Sequence, residues 1–181
     1  MMQQRGFTLI ELMVVVSITL LLLGWGIPSY STWKKQHDVE NQMIQLYSDL
    51  QFGRMYAYGN KVTAGVWWGG GNSIQSYQIR YDNSNPPNYV IDDTGIDKQI
   101  GSTVSVMPDV GAITVTCSPA GNQNSVNFDG RGFLSSAYGV DTASSLTFSV
   151  APDYGAGIDC VAVSFTQIIL GKMNEGTCKQ K

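Results

Sequence analysis

From Phe7 to Ile27 the sequence runs FTLIELMVVVSITLLLLGWGI, an apolar stretch with a single charge, Glu11. At about 1.5 Å of rise per residue, a helix of this stretch crosses the roughly 30 Å hydrocarbon layer of a bilayer. A secretory signal peptide is the competing reading, with Ser29-Tyr30-Ser31 as a small-x-small cleavage site. Its apolar core is about 7–15 residues, however, and here the run is longer and carries a carboxylate in its first turns. The stretch therefore predicts an anchor helix. A charge placed in hydrocarbon costs about 2.5–3.5 kcal/mol on insertion scales, so Glu11 is by default functional and needs a partner. The plain alternative is a glutamate that snorkels to the interface from near the helix end.

Beyond Pro28 the pattern becomes amphipathic up to Tyr58. Val39, Met43, Leu46, Leu50, Gly53 and Ala57 recur at alternating steps of four and three, one stripe of a helix facing a core. Lys34, Lys35, Asp38, Glu40 and Asp49 are expected on solvent or neighbouring subunits, with His37 one more polar residue of that face. Gly59-Asn60 is the expected stop. Pro28 removes a backbone donor and is expected to bend or locally melt the helix near Gly24 and Gly26. From Val62 onward short runs alternate with turn residues and predict strands at 62–68, 74–81, 88–91, 100–107, 112–117, 125–128, 145–150 and 160–167. The breaks fall at 69–72, 83–87, 119–124 and 152–157. The expected fold is α+β: a long helix over 7–58, its second half packed on an antiparallel β-sheet domain of two sheets over 59–181. Of the adjacent Trp67 and Trp68, alternation along a strand places one in the core and the other at the surface or under a loop, and core packing of both through a bulge is equally open.

Only 14% of residues are charged, 20 are glycine, and the net charge is −3, so the chain has no global basic footprint for nucleic acid. HExxH, GxSxG, P-loop and dinucleotide patterns are all missing, which argues against an enzyme and against a cofactor. Asp92-Asp93-Thr94-Gly95-Ile96-Asp97 invites a calcium reading, but its spacing is not that of an EF-hand and it reads as a polar turn. Cys117, Cys160 and Cys178 lack the spacing of a zinc site, so no metal is expected. In an oxidising compartment one bridge and one leftover thiol are the natural outcome, and three pairings are open.

Arg5-Gly6-Phe7-Thr8-Leu9-Ile10-Glu11-Leu12, followed by an apolar helix, resembles the prepilin leader motif of type IV pilins and type II secretion pseudopilins. The resemblance implies a leader over 1–6, cleavage after Gly6 by a membrane-bound prepilin peptidase, and methylation of the new amine of Phe7. It also implies that Glu11 meets the Phe7 amine of the next subunit during filament assembly, which repays desolvation only in the correct register. A proline at the depth of Pro28 is common in such proteins. The location implied is the bacterial inner membrane, single-pass over 7–27, with the globular domain in the periplasm. Charges flanking the span, Arg5 on one side and Lys34 and Lys35 on the other, do not fix that orientation by themselves.

Downstream pieces resemble the GspH/FimT-type minor pseudopilins and minor pilins. These are helix residues around 50–57 followed by a strand from Val62, then Val126-Asn127-Phe128-Asp129-Gly130-Arg131-Gly132, then a late strand ending at Gly171-Lys172. In that branch the last strand runs into a turn and a closing segment tied by cysteines, which implies a Cys160–Cys178 disulfide. The function implied is a minor structural subunit of a type II secretion pseudopilus or a type IV pilus, its partners being other pilins or pseudopilins. The alternative is a DNA-binding minor pilin. For that reading the closing segment offers only Lys172, Lys179 and Lys181 against Glu175, enough for two or three phosphate contacts at most.

Overall fold

The computed structural model describes residues 7–93, 95–118, 124–135, 145–151 and 154–181, with only the backbone of 25–29 and of 118. They divide into two units, one up to Lys35 and one from Gln36 to Lys181. In the first, the chain is helical from Leu9 onward, the start of α1 (Leu9–Asn60). Helical assignment runs through Pro28 without interruption.

In the second unit the rest of α1 is followed by ten strands: β1 Ala64–Trp67, β2 Ser73–Ile74, β3 Ser76–Tyr81, β4 Lys98–Ser105, β5 Ile113–Ser118, β6 Ser125–Phe128, β7 Ser145–Val150, β8 Cys160–Val163, β9 Ile168–Asn174 and β10 Thr177–Gln180. They form two antiparallel sheets, ordered β4-β3-β1-β6 and β10-β9-β8-β7-β5-β2. Val39, Met43, Leu46, Leu50 and Ala57 of α1 are fully buried and share one core with Val66, Tyr77 and Phe128 of the first sheet and Ile113, Phe148 and Val161 of the second. The expected stripe is thus the face that the domain covers. In β7 the alternation of half-buried and buried residues is what a strand with one covered face requires.

Helix and sheet meet through two glycines. A Cβ on Gly53 would lie 3.2 Å from Cα of Gly65, and one on Gly65 would lie 1.8 Å from the Val126 carbonyl oxygen. The approach of β1 to β6 leaves no room for a side chain at Gly65, and a Cβ on Gly53 would require β1 to give by a few tenths of an ångström. At its end α1 continues one residue past the expected Gly59-Asn60 stop signal's first member, and Lys61 takes the left-handed position (φ 58°). Val62 N–H then bonds the Ala57 carbonyl at 3.3 Å, and the Asn60 side chain bonds the Tyr56 carbonyl at 3.0 Å, so the exposed carbonyls are capped.

Three strand expectations are corrected. The stretch 74–81 is two strands, because the chain leaves the six-stranded sheet after Ile74 and enters the four-stranded sheet at Ser76, with the Gln75 carbonyl accepting from Val106 N–H. Residues 88–91 form no strand. There the buried Asp82 carboxylate takes the N–H groups of Ser84 and Tyr89, Asn88 bonds Val90 N–H, and Tyr89 sits at φ 61°. Side chains satisfy the backbone that a neighbouring strand would otherwise bond. The late strand stops at Val163, turns through Ser164–Gln167, and is followed by a hairpin that was not expected. Gly171-Lys172 is interior to β9, not a turn. The turn is Glu175-Gly176 (φ 50° and 78°), the two left-handed residues that a two-residue hairpin favours. Of the expected breaks, 119–123 and 152–153 lie outside the described residues.

Gly65→Ala is expected to cost more than about 3 kcal/mol or to abolish folding of the domain, since backbone rather than a yielding side chain stands in the way. Gly59→Ala faces open space inside the helix end and is expected to stabilise by up to about 1 kcal/mol. Thermal unfolding of the two variants checks both signs.

Candidate processing and assembly site

The start of α1 is built by Thr8. Its Oγ1 accepts from Glu11 N–H at 3.4 Å, and its carbonyl accepts from Leu12 N–H at 3.3 Å. Thr8 is thus the N-cap, and Glu11 stands three residues on, at the spacing of a capping box. A carboxylate in the first turn also meets the positive end of the helix dipole. The Thr-x-x-Glu spacing thus places the Glu11 carboxylate at the positive end of the helix. Phe7 is 77% exposed, immediately before the cap. The expected cleavage residue Gly6, with Arg5, lies outside the described residues.

Around the rest of this segment the surface is hydrocarbon. Leu9, Ile10, Leu12, Met13, Val14 to Val16, Ile18 and Leu20 to Leu23 are all exposed. Ser17 Oγ donates to the Met13 carbonyl at 2.8 Å, and Thr19 Oγ1 to the Val15 carbonyl at 2.6 Å, so both hydroxyls are satisfied within the helix. Exposed apolar surface on this scale marks an interaction with lipid or protein. Among the described residues no helix is long and apolar enough to cross a membrane. The described apolar side chains end at Leu23, short of the roughly 20 residues a span requires, whereas the sequence continues the run to Ile27. The side chain of Pro28, the expected kink, falls in the stretch where only backbone is described.

Two of the charges expected on the outer face of α1 turn instead to the domain. Glu40 Oε1 accepts from Gly157 N–H at 2.6 Å, and Asp49 accepts from the Tyr77 hydroxyl at 2.7 Å. Burial, with the Asp49 carboxylate beside it, pushes the Tyr77 phenol far above its ordinary range and keeps it neutral. His37 is exposed. Of the two tryptophans, Trp68 is buried edge-on against Phe148, and Trp67 is half-buried under the Arg80 guanidinium at 3.9 Å. Arg80 also donates to the Asp92 carbonyl at 2.7 Å and the Asp93 carboxylate at 3.1 Å, while Asp97 accepts from Asp92 N–H. The acidic turn is therefore tied to the sheet through its own residues. Burial raises the Asp97 carboxyl, aided by the nearby Asp92 and Asp82 carboxylates and opposed by hydrogen bonds from the Asp92 and Asn83 backbone. Among the described residues no group of three acidic, His or Cys side chains is placed to hold a metal.

After β6, Asp129 organises a tight turn: it accepts from the N–H groups of Arg131 and Phe133 and pairs with the Arg131 guanidinium at 2.8 Å. Burial alone would raise its carboxyl, but these hydrogen bonds and the adjacent charge outweigh it and hold the carboxyl below the usual range.

Cys160 and Cys178 form a disulfide, with Cα atoms 5.9 Å apart, which links β8 to β10 across the intervening β9. Beside the bridge, β9 and β10 lie so close that a Cβ on Gly171 would lie 1.9 Å from the Lys179 carbonyl oxygen. Cys117 of β5 is a free, half-buried thiol whose burial raises its pKa. The hairpin sets Lys172 opposite Lys179, yet the Lys172 ammonium donates to the Ala156 carbonyl at 2.8 Å.

A family model described as the prokaryotic N-terminal methylation motif matches residues 1–27. No curated protein and no solved structure matches the chain. The motif supports a type IV pilin-like protein and indicates a structural pilin subunit rather than an enzyme. It implies processing by prepilin peptidase, anchoring in a membrane through the N-terminal helix, and assembly with other pilins.

Cys178→Ser is expected to destabilise the domain by about 3 kcal/mol, given the separation of 18 residues, and to expose Lys179 to trypsin. Thermal melts and limited proteolysis under non-reducing conditions check it. The lowered Asp129 carboxyl binds a proton more weakly folded than unfolded. Its stabilisation is complete above about pH 4 and is lost as pH falls through the lowered value. Asp129→Asn is expected to be less stable at pH 7 and to lose less on acidification, measured by denaturant titration at pH 7 and pH 3.

Proposed function

We propose that the chain is a minor structural subunit of a pilin-like filament, either a type II secretion pseudopilus or a type IV pilus, of the GspH/FimT type. The observation that carries this reading is the methylation motif over residues 1–27, coinciding with an exposed apolar helix whose one charge stands in its first turn. The ordering of a long helix, a β-rich domain and a cysteine-tied closing hairpin supports the branch. A disulfide in the domain suits an oxidising compartment, in keeping with a periplasmic domain on a single-pass inner-membrane anchor.

In this mechanism the helix holds the precursor in the bilayer, with 1–6 as leader, 7–58 as spine and 59–181 as the displayed domain. Prepilin peptidase cuts between Gly6 and Phe7 and methylates the Phe7 amine. Glu11 then pairs with the Phe7 amine of a neighbouring subunit. An unpaired carboxylate in hydrocarbon is costly and a paired one much less so, so the pair favours one register over all others. Pro28 lacks the N–H that would continue the ladder, which eases bending as the subunit leaves the membrane.

The capping geometry allows a sharp test. Glu11→Gln keeps a residue able to complete a capping box but removes the charge, whereas Glu11→Ala removes both. Both variants are expected to insert in the membrane and to reduce filament incorporation by more than about tenfold, as leaving the partner amine of a buried pair without its carboxylate implies. Incorporation of Glu11→Gln at the unsubstituted level, measured in sheared filament fractions, would sink the charge-pairing role and leave only the cap.

A further inference from the structure

The loop between β7 and β8 is gripped from both ends of the domain's chain. Tyr154 and Gly155 are left-handed, at φ 48° and 78°, and Ala156 after them is fully buried. A residue other than glycine keeps that conformation only where its surroundings impose it. From α1, the Gln36 side chain donates to the Tyr154 carbonyl at 2.9 Å, and Glu40 Oε1 accepts from Gly157 N–H at 2.6 Å. From β9, the Lys172 ammonium donates to the Ala156 carbonyl at 2.8 Å. A Cβ on Gly157 would lie 2.7 Å from Lys181 Nζ and 2.9 Å from Glu40 Oε1, so the residue after β10 and the helix meet over this one glycine.

The hairpin that supplies Lys172 and Lys181 is fastened next to the same loop. Cys178 of β10 is bridged to Cys160 of β8, and Met173, which stands opposite Cys178 in β9, donates its N–H to the Asp159 carboxylate at 2.6 Å. Asp159 is almost fully buried and donates its own N–H to the Gly171 carbonyl at 3.1 Å. β10 lies at the edge of its sheet, paired with β9 among the described strands, so the bridge is a second and covalent hold on it.

We propose that the Cys160–Cys178 bridge and the start of the domain's part of α1 are coupled through this loop, as a redox-sensitive clasp. With the bridge closed, β10 keeps Lys181 over Gly157 and the loop stays in its left-handed turn, against Gln36 and Glu40. With the bridge open, β10 and Lys181 leave the loop, the turn relaxes, and Gln36 and Glu40 lose these partners. The opening is a two-electron reduction by a dithiol: the S–S bond breaks, Cys160 and Cys178 each become a thiol, and the dithiol closes to its own disulfide. Cys117 of β5 is a thiol in both states. The helix stripe from Met43 to Ala57 is buried in the core and stays closed, so the change is confined to the end of the domain that α1 enters at Gln36. The coupling arises from contacts inside the domain and does not depend on the filament reading. It is also reciprocal: loosening the helix side of the clasp makes the bridge easier to reduce.

The test uses the full chain in detergent micelles. Hydrogen exchange followed by mass spectrometry compares the oxidised chain with the chain reduced by dithiothreitol. Amides of residues 154–158 are expected to exchange more than about tenfold faster after reduction, while those of β5 and of residues 46–57 change by less than about twofold. The reciprocal arm leaves both cysteines in place. In Glu40→Ala the bridge is expected to be half reduced at a dithiothreitol ratio of reduced to oxidised form about fivefold lower than in the unsubstituted chain. Asp49→Asn, which weakens a helix tie to β3 instead of to this loop, is expected to leave that midpoint unchanged. Unaltered exchange at 154–158 overturns the proposal, as does exchange that rises throughout the domain. So does a midpoint that Glu40→Ala does not move, or that Asp49→Asn moves equally.

Discussion

The contact between Gly53 and Gly65 sets the distance from which the rest of the domain follows. With no side chain on either residue, the helix backbone approaches β1 closely enough for Val39, Met43, Leu46, Leu50 and Ala57 to reach into a core shared by both sheets. β1 in turn lies so near β6 that Gly65 tolerates no Cβ. Burial of the helix stripe stabilises the domain at about 25 cal/mol per Å² of apolar surface removed from water, and the glycines set how closely the backbones that carry it approach. A polar thread follows the same seam. Gln42, almost fully buried, accepts from Met107 N–H, and Asp49 accepts from Tyr77, so the helix is located by directional bonds as well as by packing.

That arrangement explains why the helix charges are where they are. An isolated amphipathic helix places Glu40, Asp49 and Arg54 in solvent, where each surface interaction is worth little. Used as ties to Gly157, Tyr77 and Gly132, they fasten two loops and strand β3 to the helix. The consequence is an outer face without charge. The same side chains that rigidify the domain thus leave its helix apolar toward the outside.

The core stripe was legible because helical spacing is local: steps of three and four name one face without knowledge of what covers it. β6 and β7 were legible to the residue for a similar reason, each being a short apolar run between turn signals. The disulfide followed from resemblance alone, since the three cysteines allowed three pairings. What failed was non-local. Nothing in the run 74–81 announces that Gln75 is where the chain changes sheets, because the partners that divide it, β5 on one side and β1 and β4 on the other, are distant in sequence. At 88–91 a β-like composition lost to Asp82, whose carboxylate claims the local N–H groups. The hairpin β9–β10 was hidden by reading Gly171 as a turn glycine. Its glycine serves close approach to β10, and the turn falls to Glu175-Gly176. At the N-terminus the run of apolar residues is plain from the sequence, and the N-cap at Thr8 is marked only by the short Thr-x-x-Glu spacing beside the more conspicuous charge.

In the proposed filament reading, the cap at Thr8 and the pairing role of Glu11 do not compete; one would prepare the other. A carboxylate free to rotate at a helix end escapes to water, and little then distinguishes a correct register from a wrong one. Thr8 begins the helix at a defined residue, through its bond to Glu11 N–H, and so fixes where the Glu11 side chain leaves the backbone relative to the Phe7 amine one turn away. Helix-dipole stabilisation lowers the cost of keeping the carboxylate charged there. A partner amine arriving from another subunit would then meet a charge whose position is already restricted, and less entropy would be lost in forming the pair. In that reading the cap is what would let a single charge in a hydrocarbon surface act as a positional mark.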